Sequence, residues 1–366
     1  MRNRLQILAL AIAMTALSAH AQTTTPDKNL FNHLDFGVTA GTSGIGFDLA
    51  MPVTDWARVR TGFSYVPKVE VPMTFGIQVG DDPSTSSKKF NDLSTYLSHI
   101  TGNQVKDEVE MTGRPTFWNW NVMVDVFPLK NNRHWHVTAG FFLGPSRVAE
   151  AYNKTESMAS LMAVDIFNNM YDRVISSPVL NDEDYFYENN VIQVLNDIQL
   201  LHDLGVIKAK NFPAQLKDFY LDPDKNVIKT AYQDIAKYGR MGMGLGVYKR
   251  DITDEEGNII HKKGERYIME PDDNSMVRAD MKVNAFKPYV GLGYDGRLTK
   301  HDDRLKIGFD AGVMFWGGTP SLTTHDGTDL INDVEGIGGK VGDYVDTIEK
   351  FKVFPLLNLR ISYRLF

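Results

Sequence analysis

The chain has no cysteine in 366 residues. That excludes a disulfide scaffold, thiolate metal sites, a cysteine nucleophile and an N-terminal lipidated cysteine. It also lacks a basic excess: 39 Lys and Arg stand against 46 Asp and Glu, a net charge of −7. Nucleic acid is therefore not an expected partner, because neutralising phosphates requires a basic face. Beyond residue 21 no stretch approaches the ~18 uninterrupted apolar residues of a membrane helix. A mean hydropathy of −0.26 points the same way. Neither absence excludes a β-barrel, whose strands hide their apolar half by alternation. With 43% hydrophobic residues, the chain has ample material for a core and is not of disordered composition.

The N-terminus narrows the choice. Met1-Arg-Asn-Arg4 is basic, residues 5–17 are apolar, and Ala19-His-Ala21 gives a small-x-small cleavage pattern. Together they read as a secretory signal peptide over residues 1–21. The mature chain, 22–366, is then expected in the periplasm, outside the cell, or in an outer membrane.

Eight later stretches alternate with period 2, at 34–40, 45–51, 57–65, 118–126, 135–143, 286–294, 306–315 and 357–365. In the last, Leu357, Leu359, Ile361, Tyr363 and Leu365 alternate with Asn358, Arg360, Ser362 and Arg364. A soluble sandwich would alternate too. Three further features favour a membrane barrel. Aromatics such as Trp56, Trp118, Trp120, Trp135, Trp316 and Tyr363 gather near strand ends, like interfacial girdles. The polar faces carry ions as well as glycine, which suits a lumen. Connections also alternate in length: 52–56, 128–134 and 299–304 are short, whereas 72–114, 145–280 and 318–353 are long. Only the tight turn near Thr42-Ser43-Gly44 departs from this outer-membrane pattern. The expected fold is an all-β membrane protein: an eight-stranded antiparallel up-and-down transmembrane barrel with large, partly helical extracellular insertions.

The segments Phe36-Gly-Val-Thr-Ala-Gly41, Phe286-Lys-Pro-Tyr-Val-Gly-Leu-Gly-Tyr294, Gly308-Phe-Asp-Ala-Gly-Val-Met-Phe-Trp-Gly317 and Arg360-Ile-Ser-Tyr-Arg-Leu-Phe366 carry a resemblance. The chain resembles the OmpA-type transmembrane barrel superfamily, in the variant common among Bacteroidota outer-membrane proteins. The resemblance implies residence in the cell outer membrane, among lipid and lipopolysaccharide. The terminal aromatic is similar to the signal read by the barrel-assembly machinery, although Phe366 stands one residue out of phase with Ile361, Tyr363 and Leu365. These motifs identify a class and no activity.

The long connections are expected to form a folded cap over the barrel mouth. Met158, Leu161, Val164, Tyr171 and Val174 recur at helical spacing, as do Ile192, Leu195, Ile198 and Leu201, and Val227, Ala231, Ile235 and Tyr238. Residues 90–100 and 341–351 predict two smaller helices, and 249–267 a hairpin turning at Glu256-Gly257-Asn258. Met241–Tyr248 and 261–268 could be two more membrane strands. However, Lys262 and Arg266 on one face, and Lys263 and Glu265 on the other, would put charge in lipid at about 2–4 kcal/mol per basic residue. Eight strands is the expectation.

The inward faces bring Asp35, Asp48, Asp125 and Asp310 together with Arg58, Arg60, Lys287, Lys306, Arg360 and Arg364. An eight-stranded barrel is just wide enough to be filled by side chains. Such ions persist there only when paired. A salt-bridged plug is the favoured reading over a cation-lined narrow pore.

Other candidates are weaker. Asp222-Pro-Asp224-Lys-Asn226 resembles the start of a calcium loop but has Val227 where glycine is required and Gln233 where glutamate is required. It reads as an acidic helix cap. Asp182-Glu-Asp184 and Asp302-Asp303 read as solvated turns. Gly41-Thr-Ser-Gly44-Ile-Gly46 leads into a strand, so it is a hairpin and not a phosphate cradle. No HExxH or GxSxG motif occurs. His325 with Asp326 and Asp329 is the one rim cluster compatible with a hydrolase. The expectation is a non-enzymatic barrel without cofactor or metal that binds a surface ligand or membrane-protein partner through 145–280. The rival is a narrow, porin-like channel for small solutes.

Overall fold

The computed structural model describes residues 33–129, 132–177, 180, 189–207, 225–299 and 303–366. The signal peptide reading, Asp182–Asp184, Asp222–Asp224 and Asp302 fall outside them.

The chain runs through β1 (Asp35–Gly41), β2 (Gly44–Thr54) and β3 (Ala57–Tyr65), then leaves for β4 (Val71–Val79), helix α1 (Pro83–Thr101) and β5 (Glu108–Pro115). It returns as β6 (Trp118–Val126) and β7 (Trp135–Leu143). A second excursion holds β8 (Arg147–Asn153), α2 (Met158–Ile175), α3 (Asn189–Asp203), α4 (Lys225–Ala236), β9 (Met241–Tyr248), β10 (Ile252–Thr253), β11 (Ile259–His261), β12 (Arg266–Met269) and β13 (Arg278–Lys282). After β14 (Phe286–Arg297) and β15 (Leu305–Met314), a third excursion of β16 (Ser321–Thr324), β17 (Val334–Glu335) and α5 (Gly339–Lys350) precedes β18 (Phe354–Arg364).

Eight of these strands close a barrel in the order β1-β18-β15-β14-β7-β6-β3-β2. Every neighbouring pair is antiparallel, and β1 meets β18 from Asp35↔Arg364 to Gly41↔Asn358. The expected eight-stranded antiparallel barrel is present. No described helix is long and apolar enough to cross a membrane.

The barrel is inverted relative to a soluble one. Many of its outward apolar side chains are exposed, from 36% at Phe63 to 63% at Leu359, whereas inward Asp125 and Thr138 are at 0%. Water would penalise that arrangement and hydrocarbon favours it. An aromatic ladder crosses the outer face through Phe36–Phe47, Phe47–Phe63 and Phe63–Trp118, with ring centroids 6.4, 6.2 and 5.8 Å apart. Trp135 packs on Tyr294 and Phe309 at the short-turn end.

The three excursions leave the barrel on one side and merge. Most of their strands form a second sheet in the order β12-β9-β4-β5-β8-β13-β16, with β17 also pairing β9, while β10 and β11 pair separately. The sequence predicts helices in 72–114 and 318–353, and the structure adds strands to both connections. All three segments supply strands to one folded unit. The expected helices are nevertheless there, and so is the hairpin: Asp254 N–H donates to the Asn258 carbonyl at 3.0 Å, with Gly257 at φ +88°. The candidate membrane strand Met241–Tyr248 lies in the cap sheet.

Local chemistry explains α1. Asp82 caps its first turn by accepting from Ser84 N–H at 2.9 Å, Pro83 opens it, and Gly102 at φ +68° ends it. Its Phe90, Leu93 and Leu97 pack with Ile77 and Val79 of β4 and with Leu161, Val164 and Phe167 of α2 in the cap core. Asn168 fixes α2 to β9 by exchanging two 2.8 Å hydrogen bonds with the Met241 backbone.

Candidate functional site

Two places concentrate unusual chemistry: the lumen and the interior of the cap. The lumen is layered. At the short-turn end Lys306 contacts Asp35 at 2.9 Å, with Arg364 at 3.8 Å from the same carboxylate. The middle layer holds Arg58, Arg60 and Arg360 against Asp48, Asp125, Asp295 and Asp310. Arg58 bonds Asp125 at 2.7 Å and Asp295 at 2.8 Å. Arg60 reaches Asp310 at 2.8 Å and Asp125 at 3.0 Å. Arg360 holds Asp295 and lies 3.7 Å from Asp48. Thr138 donates to Asp125 at 2.8 Å, and His136 sits between Asp310 at 3.3 Å and Asp295 at 3.8 Å.

Glycine makes this crowding possible. A Cβ at Gly293 would stand 2.2 Å from His136 Nε2, and one at Gly308 2.3 Å from Asp295 Oδ1. Both strands need a bare backbone there to admit the ions opposite.

Above the ions, Met123, Phe142, Tyr289, Met314 and Leu356 form a buried apolar layer. A cavity of about 40 Å3 borders Asp48, Arg60, Asp310 and Tyr289. That is room for a few waters.

Of the ten sequence-derived lumen residues, Asp35, Asp48, Arg58, Arg60, Asp125, Lys306, Asp310, Arg360 and Arg364 join these ion-pair layers. Lys287 does not. It is 1% exposed, and its ammonium meets the neutral oxygens of Ala285 at 3.3 Å, Asn119 at 3.4 Å and Pro145 at 3.5 Å. A carbonyl cradle therefore replaces the expected carboxylate partner. Two members were missed. Asp295 continues the inward set of Lys287, Gly291 and Gly293 one step beyond the strand end read from sequence. His136 lies in phase with Thr138, and its position gave the signal.

The cap sheet has two unlike faces. Thr112, Arg114, Glu150, Tyr152, Arg278 and Asp280 alternate onto one, where Arg114 bonds Glu150 at 2.7 Å. Met111, Gly113, Ala149, Ala151, Ala279, Met281 and Leu322 alternate onto the other. The sheet is curled until its edge strands meet: Tyr267 Oη of β12 lies 2.9 Å from Thr324 Oγ1 of β16 and donates to Asp326 at 2.7 Å. Burial, then the Asp326 charge, push the Tyr267 phenol well above its ordinary range. Burial opposes ionisation of Asp326, but hydrogen bonds from Thr324, Thr328 and Tyr267 outweigh it and hold the carboxyl below its usual range.

The rim cluster has structural contacts. Asp326 ties the sheet edges together, Asp329 accepts from Ile331 N–H at 3.0 Å, and His325 Nδ1 accepts from Arg278 N–H at 3.4 Å. Among the described residues no group of three or more His, Asp or Glu is arranged to hold a metal.

No protein-family model and no curated protein sequence matches the chain. Among solved structures it is similar to Acinetobacter baumannii CarO2, at 10% identity and TM-score 0.32, over 91% of this chain and 98% of that one. It is similar to Acinetobacter baumannii CarO at 10% identity and TM-score 0.33, over 92% and 99%. A major outer membrane protein from Thermus thermophilus matches at 11% identity and TM-score 0.26, over 91% and 100%.

Proposed function

We propose that this chain is an outer-membrane barrel of the OmpA-like, Bacteroidota type, delivered through its signal peptide, that anchors a binding cap on the extracellular side. In this reading the role is non-enzymatic. Lipid and lipopolysaccharide surround the barrel, the barrel-assembly machinery inserts it, and the surface ligand or membrane partner engages the cap.

The observation that supports an anchor over a channel is the middle ion layer. Arginine–carboxylate pairs cross the lumen, and an apolar layer closes above them. Opening a path would separate buried ions, and breaking one such pair costs about 3–5 kcal/mol.

Recordings in planar bilayers test the reading. The filled barrel should give no stable unitary openings. Steady openings that change on Asp310→Asn would establish the porin-like alternative instead.

A further inference from the structure

The interior of the curled cap sheet holds a cavity of about 310 Å3. All seven strands on the main path of the sheet contribute to its wall, and Val341, Tyr344, Val345 and Ile348 of α5 close one side. The cavity falls within the ~300–1,000 Å3 range of small-ligand sites.

Its origin is in the register. Gly113, Ala151 and Ala279 stand side by side on three adjacent strands, so three successive positions of the wall present a methyl group or less. Larger neighbours, Met73, Met111 and Met281, surround this shallow floor. The lining is almost entirely hydrocarbon, and water has few partners there, so such a space stays dry or takes an apolar guest. Methionine-rich walls adapt to flexible chains.

The mouth indicates where the guest comes from. Val71 and Tyr344 both line the cavity and are both 41% exposed. Val71 begins the first strand after the barrel leaves Tyr65, and Pro115, also in the lining, lies just before Trp118. Ile348 closes the same region shortly before Phe354 re-enters the barrel. Val69 at 61%, Phe351 at 43% and Val353 at 36% exposure stand in the links between these cap elements and the barrel strands. The cavity therefore opens at the barrel-proximal end of the cap, beside the face that meets lipid.

We propose that the cap interior takes up a single acyl chain of a lipid from the adjoining membrane leaflet, entering between β4 and α5. This rests on the reading of the barrel as membrane-embedded and names the ligand class of the cap.

The test uses the full chain in phosphatidylcholine nanodiscs containing a phosphatidylcholine with a diazirine on one acyl chain. After illumination, adducts are located by peptide mass spectrometry. A parallel arm replaces that probe with a free diazirine fatty acid. The expected result is phospholipid adducts on 71–75, 111–115 and 279–281, reduced at least tenfold by Ala151→Leu or Ala279→Leu. Tyr344→Ala, which widens the mouth, should raise them. Adducts on the outward face of β18 report the membrane reading separately, and their retention shows that a filled variant has folded. If Ala151→Leu loses them, the smaller Ala151→Val replaces it. Belt adducts without cap adducts, cap adducts unchanged in folded filled variants, or cap labelling by the free acid alone would each overturn the proposal.

Discussion

Arg60 on β3 and Asp310 on β15 stand on opposite walls of the ring of eight strands, yet Arg60 Nη1 and Asp310 Oδ2 are 2.8 Å apart. One ion pair thus spans the lumen, between residues separated by 250 positions. Asp310→Asn leaves Arg60 and His136 underpaired and should lower stability by about 3–5 kcal/mol. Arg60→Met combined with Asp310→Asn removes both charges and should cost less than the sum of the single changes. Urea unfolding in vesicles measures both; additive losses would show the pair to be energetically idle.

The lipid face is tested at Leu359. Placing arginine there puts charge in hydrocarbon and should destabilise the barrel by about 2–4 kcal/mol. The inner face of β15 carries charge at Lys306 and Asp310. Met314 instead belongs to the apolar lumen layer and is 1% exposed. Its replacement by arginine buries an unpaired ion and should prevent heat-resistant assembly, read by gel mobility of unboiled samples.

Alkaline titration reports the closure of the cap. The Tyr267 phenol is raised in the folded chain, so its stabilising contribution is intact below the unfolded value near ~10. Above that value the unfolded state loses its proton first, and stability falls as pH rises. Tyr267→Phe should flatten that part of the unfolding curve. It should also cost about 0.5–1.5 kcal/mol at neutral pH, by removing the hydrogen bond from Tyr267 to Asp326 Oδ2. Identical alkaline slopes would separate Tyr267 from cap stability.

Topology can be mapped with single cysteines, because the chain has none. Glu255→Cys in the β10–β11 turn should react with an impermeant maleimide on intact cells. Asp303→Cys in a short turn should react only after lysis. The reverse pattern would place the cap in the periplasm.

Replacing 154–238 with a Gly/Ser linker removes α2, α3 and α4 but none of the strands. Loop-closure entropy changes by only about 0.6 kcal/mol per doubling of length, so the barrel should still insert. The cap should not survive, because Phe90, Leu93 and Leu97 of α1 lose α2 from their core and Met241 of β9 loses its two hydrogen bonds to Asn168. Protease digestion should then clip the cap strands while sparing the barrel.

The barrel was legible because lipid on one side and ions on the other impose a clean period of 2 along each strand. Asp295 was missed because the run was ended at Tyr294, although the alternation continues. The cap sheet was hidden for another reason. Val71, Met73, Phe75, Ile77 and Val79 alternate as clearly as any barrel strand, but the partners of β4 are β5 and the distant β9. Alternation reveals a strand and not its partner, so a segment between two barrel strands read as a loop. Lys287 was placed correctly on the inner face. Its carbonyl cradle comes from Asn119, Pro145 and Ala285, which no strand pattern brings together.

The interleaving of the cap through the barrel also orders events in time. Its sheet takes strands from each excursion, and β16 and β17, from the third, are reached only after seven barrel strands have been laid down. The cap cannot be completed by a nascent chain that still lacks its third excursion. Its Tyr267–Thr324 clasp forms just upstream of β18, the strand that joins β1. Protease resistance of the cap therefore reports that the chain has been threaded through at least as far as its third excursion.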